Sequence, residues 1–278
     1  MRALLFTKLF DDRPLDEIAA RSTELGFDGV DLLVRRGYAV DPADAGGVVQ
    51  AVGRLSKAGL DVPMVTTDIT DPSSLPADRI LGECAQCGVR LVRLGYWPYD
   101  GTRPYPEALS MARRDLDQLE PLARAHQVTL AIQLHGGTIH SSGALAATLL
   151  EGRDPALVAV YPDPGNQAVQ DGREDWRLTF DVLRPWLRCV GVKNGGWFRG
   201  QPDELGQYRW TSGWLGIADG MVPWDDILHH LTEIAFDGVL SFHSHYPLPY
   251  EQVLAQTRSD LSYVRRVLAQ PSGEARLG

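Results

Sequence analysis

Eight times along the chain a short aliphatic or β-branched run is followed by a longer stretch with helical spacing of its apolar residues. That alternation leaves few folds open. The runs are Ala3-Leu4-Leu5-Phe6, Gly29-Val30-Asp31-Leu32, Val62-Pro63-Met64-Val65, Leu91-Val92-Arg93-Leu94, Val128-Thr129-Leu130-Ala131-Ile132-Gln133, Leu157-Val158-Ala159-Val160-Tyr161, Cys189-Val190-Gly191-Val192-Lys193 and Gly238-Val239-Leu240-Ser241-Phe242-His243. Strands that alternate with helices pair in parallel, and eight such units need about 250 residues, close to the 278 present. Helices are expected over 15–25, closed by Gly26, and over 105–126, 176–183 and 250–267. Asp41-Pro42-Ala43-Asp44 reads as an N-cap and first turn of a helix that ends near Ala58-Gly59, and Asp71-Pro72-Ser73-Ser74 as the turn before a helix carrying Ile80, Leu81 and Cys84. The predicted fold class is α/β: one (β/α)₈ TIM barrel domain over 1–270, with 271–278 as a frayed tail.

Charge and cysteine usage narrow the function classes. A net charge of −9 argues against a surface that tracks phosphates, so no nucleic-acid partner is expected. No apolar run reaches the ~20 residues of a membrane span. The three cysteines, Cys84, Cys87 and Cys189, are an odd number with no secretory segment near Met1, which gives the expectation of a cytoplasmic protein without disulfides. Cys84-Ala-Gln-Cys87 has redox or half-zinc spacing, but it stands alone in a helical pattern and reads as structural. There is no dinucleotide fingerprint, Walker sequence, zincin motif or nucleophile elbow, so no nucleotide cofactor is expected.

In a barrel of this kind, chemistry gathers at the C-terminal ends of the strands. The fifth strand ends Gln133-Leu134-His135, the sixth runs into Asp163-Pro164-Gly165-Asn166, the seventh ends Lys193-Asn194 and the eighth His243-Ser244-His245. Residues two apart share a face, so Gln133 with His135, and His243 with His245, can each present a pair to one space. His126, His229 and His230 fall on or beside helices and are expected at the surface. Two connections exceed what closure needs, 96–104 and 194–223. The second carries Trp197, Phe198, Tyr208, Trp210 and Trp214, which points to a lid or substrate wall, with a packed excursion or an oligomer contact as the alternative.

At these residues the sequence resembles the sugar phosphate isomerase/epimerase group of the xylose-isomerase-like superfamily, whose barrel also includes endonuclease IV. The markers run from Glu24-Leu25-Gly26-Phe27-Asp28-Gly29-Val30-Asp31 through Ala131-Ile132-Gln133-Leu134-His135, Asp163-Pro164-Gly165-Asn166, Val192-Lys193-Asn194 and Leu215-Gly216 to Phe236-Asp237-Gly238-Val239-Leu240-Ser241. The resemblance implies one divalent ion held by Glu, Asp, His and Glu from the last four strand ends. The matching positions here are Gln133, Asp163, Gly191 and His243, so only the Asp is kept.

Two chemistries stay open. In one, His135, Asp163 and His243 hold a transition ion (Mn, Zn or Fe) that polarises a substrate oxygen. In the other, Lys193 supplies the positive charge, with a histidine as base. Under either, Lys193, His135 and His245 are the candidate catalytic residues, and Gln133, Asn166, Asn194, Trp197 and Trp214 the candidate substrate contacts. The leading expectation is isomerisation or epimerisation of a carbohydrate-like small molecule by proton transfer next to a carbonyl. The alternatives are a lyase or hydrolase on a modified sugar, and a non-catalytic sugar-binding barrel, in each case with a homodimer possible.

Overall fold

A computed structural model describes residues 1–170 and 173–270; the expected tail at 271–278 lies outside the described residues. Along the chain the elements are β1 (Arg2–Phe6), α1 (Leu15–Leu25), β2 (Gly29–Leu33), α2 (Gly47–Lys57), β3 (Asp61–Thr66), α3 (Ala77–Gln86), β4 (Leu91–Arg93), α4 (Tyr105–His126), β5 (Thr129–Gln133), α5 (Gly143–Leu150), β6 (Val158–Tyr161), α6 (Pro164–Val169), α7 (Trp176–Leu183), β7 (Cys189–Val192), β8 (Asn194–Pro202), β9 (Tyr208–Leu215), α8 (Trp224–Glu233), β10 (Val239–Phe242) and α9 (Tyr250–Leu268).

Eight of the strands form one parallel sheet in the order β6-β5-β4-β3-β2-β1-β10-β7. Its two edges meet through a parallel bridge between Val160 and Leu187, and through Gly191 N donating to Pro162 O at 2.8 Å, which closes the barrel. Parallel strands are covered on both faces, which is why their sequences are nearly continuous apolar runs. Alternate residues divide two cores. Leu4, Met64, Tyr161, Cys189 and Val239, with Leu91 against them, fill the lumen. Leu5, Val30, Leu32, Val65, Val92, Leu130 and Val190 point outward and pack under the helices.

Local chemistry explains where the helices begin. α1 closes on Gly26 at φ 88°, a left-handed conformation suited to glycine, as expected. The Asp41 expectation needs correction: Asp41 accepts from Ala43 N at 2.8 Å and closes its own turn, and α2 starts only at Gly47. The free amides there are met from another helix. Glu83 of α3, almost fully buried, accepts from Gly46 N at 2.9 Å and Val48 N at 3.1 Å while Arg79 binds its Oε1 at 2.6 Å. Cys84 and Cys87 lie at the end of α3 as free thiols, and burial pushes the Cys84 thiol well up and raises that of half-buried Cys87. None of the described helices is long and apolar enough to cross a membrane.

The long connection after β7 is ordered as a β8–β9 hairpin, with Trp197 opposite Ser212 and Arg199 opposite Trp210. Trp197, Phe198, Tyr208 and Trp210 are exposed on it. The histidines expected at the surface are all half-buried: His126 bonds Asp78 at 2.8 Å, and His230 packs its ring edge against Trp176 and Phe180 beside His229.

Candidate active site

The two-residue alternation that sends Tyr161, Cys189 and Val239 into the lumen also aims Asp163, Lys193, His243 and His245 at its C-terminal mouth. The centre of that mouth is a buried ion pair. Lys193 Nζ lies 3.2 Å from Asp163 Oδ2, and the ammonium sits 4.8 Å from the centre of the Trp214 ring. Two glycines make the approach possible. A Cβ on Gly165 would lie 2.5 Å from Lys193 Cγ, and one on Gly191 would lie 2.6 Å from Asp163 Oδ2.

Hydrogen bonds extend the pair across the mouth. Gln133 Nε2 donates to Asp163 Oδ2 at 2.6 Å, Tyr96 OH donates to Gln133 Oε1 at 2.8 Å, and Asn166 N donates to Asp163 Oδ1 at 2.9 Å. Desolvation pulls the Lys193 pKa below that of an ordinary lysine, and Asp163 opposes the fall.

The imidazoles around the pair are neutral. His135 Nδ1 meets the carbonyl of Gly136 at 2.7 Å and must donate there, so its Nε2 carries the lone pair, loosely approached by Gln170 at 3.4 Å. Burial lowers its pKa. His243 stacks on Phe6 and its Nε2 lies 2.5 Å from Tyr161 OH; burial, then the field of Lys193, hold it well below the usual range. The same two causes bring His245 down to about 2.

The fit of a metal ion follows from these contacts. Among the described residues no group of three His, Cys, Asp or Glu side chains could hold an ion. The expected set of His135, Asp163 and His243 is not assembled. Asp163 is engaged by an amide and an ammonium, and His243 Nε2 faces Tyr161. At the strand-7 position where the family pattern has a His ligand, Gly191 leaves its space to the Asp163 carboxylate. An ammonium beside that carboxylate repels a cation, so the residues present do not fit a divalent ion.

The remaining candidates divide. Trp214 covers Lys193, whereas the Trp197 indole donates to Ala168 O at 2.8 Å on the rim. Asn166 Nδ2 donates to Leu134 O. Asn194 needs correction as a substrate contact: its amide is fully engaged by Ile217 O, Val222 O, Gly195 N and Val222 N, and it clamps the base of the hairpin.

Several residues of the mouth were not singled out from the sequence. Lys8 follows β1, Arg93 ends β4, and Asp31 lies deeper, accepting from Thr66 at 2.7 Å and Ser241 at 2.8 Å. Desolvation raises Asp31 to about 6. His140 is fully buried beside Tyr96 and Trp97, and burial lowers it to about 3. The available signal was the alternation itself, which puts Arg93 on the same side as the lumen-facing Leu91.

The family model for the xylose isomerase-like TIM barrel matches residues 19–266. Among curated proteins none matches the chain. Solved structures with the same fold include a xylose isomerase-like TIM barrel protein from Mycobacterium smegmatis in complex with magnesium (17% identity, 96% of this chain and 98% of that one, TM-score 0.72). A 3-keto-D-glucoside 4-epimerase from E. coli is similar at 14% identity, covering 96% and 99%, TM-score 0.70. The IOLI protein with a bound zinc atom is similar at 12% identity, covering 97% and 100%, TM-score 0.69.

Proposed function

The chain belongs to the xylose isomerase-like TIM barrel family, and from that premise we propose that it isomerises or epimerises a carbohydrate-like compound by proton transfer next to a carbonyl, with Lys193 in the electrostatic role that other barrels give to an ion. The observation that carries this reading is the Lys193 ammonium, buried on Asp163 beneath Trp214 and flanked by neutral imidazoles. A base removes the proton from the carbon beside the carbonyl. The carbonyl oxygen gains the charge as an enolate, and Lys193 stabilises it in a site of low dielectric. Return of the proton to the opposite face completes epimerisation; return to the neighbouring carbon, with the hydroxyl proton of the deprotonated α-carbon passing to the enolate oxygen, completes isomerisation, in each case without loss of atoms.

His135 and His245 stand at the ends of two different strands, so they can serve as the two proton carriers. The bond to Gly136 O gives His135 the correct tautomer, with Nε2 free to accept. His245 is the weaker base in the free protein, but part of its depression comes from the field of Lys193, which a developing oxyanion would offset.

The test is exchange of substrate C–H with deuterated water across pairs of ketoses, aldoses and keto-glycosides, run with chelator present. Exchange that survives chelation and is lost in Lys193→Met supports the reading. Exchange that needs added metal, or that persists in Lys193→Met, overturns it. A product that differs from the substrate in mass would favour the lyase or hydrolase alternative.

A further inference from the structure

Two of the cationic side chains at the mouth have no ion-pair partner among the described residues. Of Lys8, Arg35, Arg93 and Lys193, only Arg35 and Lys193 form ion pairs among the described residues, with Asp68 and Asp163; Asp11 acts on Lys8, and Asp31 on Arg93, only from a distance. Arg35 takes Asp68 in a two-point contact, its Nε at 2.6 Å, and Lys193 takes Asp163. Arg93 is 2% exposed and Lys8 half-buried, and among the described residues neither forms an ion pair. Arg93 Nη1 reaches Thr67 O only at 3.4 Å, and its buried Nε has no partner among the described residues. Its guanidinium lies 4.3 Å from the centre of the Tyr96 ring. Asp31 lies within the field of Arg93 but gives its two oxygens to Thr66 and Ser241 rather than to the guanidinium.

A buried guanidinium without a contacting carboxylate is costly, and a protein that carries −9 overall has no shortage of carboxylates to supply one. Its retention at the mouth is accounted for when the counter-ion arrives with the ligand.

We infer that Arg93 and Lys8 form an oxyanion subsite, so that the compound handled at Lys193 is an acidic sugar derivative carrying a carboxylate or a phosphate. This rests on the reading of the site as one for carbohydrate-like compounds and adds a charged handle to it. Arg93 offers a planar pair of donors suited to either group, and Lys8 adds a point charge. Two observations agree with the placement: Lys8 feels both Arg35 and Arg93, and the field of Arg93 reaches His243 and Lys193.

Calorimetric titration of the full chain with D-glucuronate, D-glucose 6-phosphate and D-glucose tests it. At least one acidic probe should bind about tenfold or more tightly than D-glucose, and which of the two does so assigns the carboxylate or the phosphate. Lys8→Met should weaken that probe about tenfold, and Arg93→Met should abolish the preference while raising the melting temperature, because an unpaired buried charge is removed. Equal binding of all three probes, no binding of either acid, or an Arg93→Met protein that is less stable and keeps the preference would overturn the inference. A substitution that prevents folding is covered by Lys8→Met, which alters a half-buried side chain. Failure of the Lys193 reading is separate: Lys193→Met would then keep C–H exchange, whatever the charge preference.

Discussion

Lys193 and Asp163 form an ion pair of 3.2 Å in which both side chains are almost fully withdrawn from solvent, and each reaches the other only across the bare Cα of a glycine, Gly165 on one side and Gly191 on the other. The pair therefore carries consequences for stability as well as for chemistry.

Breaking it from the acid side should cost more than breaking it from the amine side. Asp163→Asn leaves a buried ammonium uncompensated, a loss of about 3–5 kcal/mol. Lys193→Met leaves a carboxylate that still accepts from Gln133 and Asn166, and should cost less. The double variant should recover part of the Asp163→Asn loss. Urea denaturation of the four proteins measures the coupling, and strictly additive effects would show that the two side chains do not interact.

The pH profile of turnover should be displaced at both ends. The imidazole base must be neutral and burial lowers its pKa, so the acid limb should fall below the ordinary 6.5 of histidine. Lys193 must be charged and its pKa is lowered too, so the alkaline limb should come before 10.5. Replacing His135 by Gln should remove the acid limb and lower kcat by about 10²–10⁴-fold. A profile that rises with an unshifted midpoint and is unchanged in His135→Gln would assign the base elsewhere.

Restoring the His ligand of the family pattern at strand 7 should fail for steric reasons. Even Gly191→Ala puts a Cβ within 2.6 Å of Asp163 Oδ2, beside a lumen already filled by Tyr161. The expected loss is about 1–3 kcal/mol, as for overpacked cores. Gly191→His should lower the melting temperature further and give no stoichiometric metal by elemental analysis. A stable Gly191→His protein that binds one ion would refute this account of the missing site.

Stability should depend on Asp31 in the direction opposite to that of most carboxylates. Burial raises its pKa from 3.8 to about 6 in the fold, so the folded chain holds a proton that the unfolded chain has released. The contribution is fully present below pH ~3.8 and is lost as pH rises through ~6; two units correspond to ~3 kcal/mol. Asp31→Asn should therefore become more favourable relative to the parent between pH 5 and pH 8. Chemical denaturation at both pH values checks it, with equal differences counting against a buried acid of raised pKa.

What the sequence determined by itself was the periodic part. Eight apolar runs with helices between them specify a parallel barrel, because each run can be buried on both faces only inside helices. Within that frame the list of strand-end residues was also legible, since alternation along a strand is local. The hairpin at 194–202 and 208–215 was not distinguished from an irregular lid, because its strands pair only with each other and carry polar, aromatic and glycine residues on exposed faces. Nor was the capping of α2 by Glu83, which lies 35 residues beyond Val48.

Charge pairing was decided only in three dimensions. His135, Asp163 and His243 read as a ligand set in the sequence, yet Asp163 was taken by Lys193 and Gln133 once the strands closed. Arg93 and Lys8 were not singled out along the chain; the sheet turned Arg93 into the lumen, and Asp68 went to Arg35. A pattern along the chain records which face a residue shares with its neighbours. Which charges meet depends on distances and burial that exist only when eight separated segments are brought around one axis.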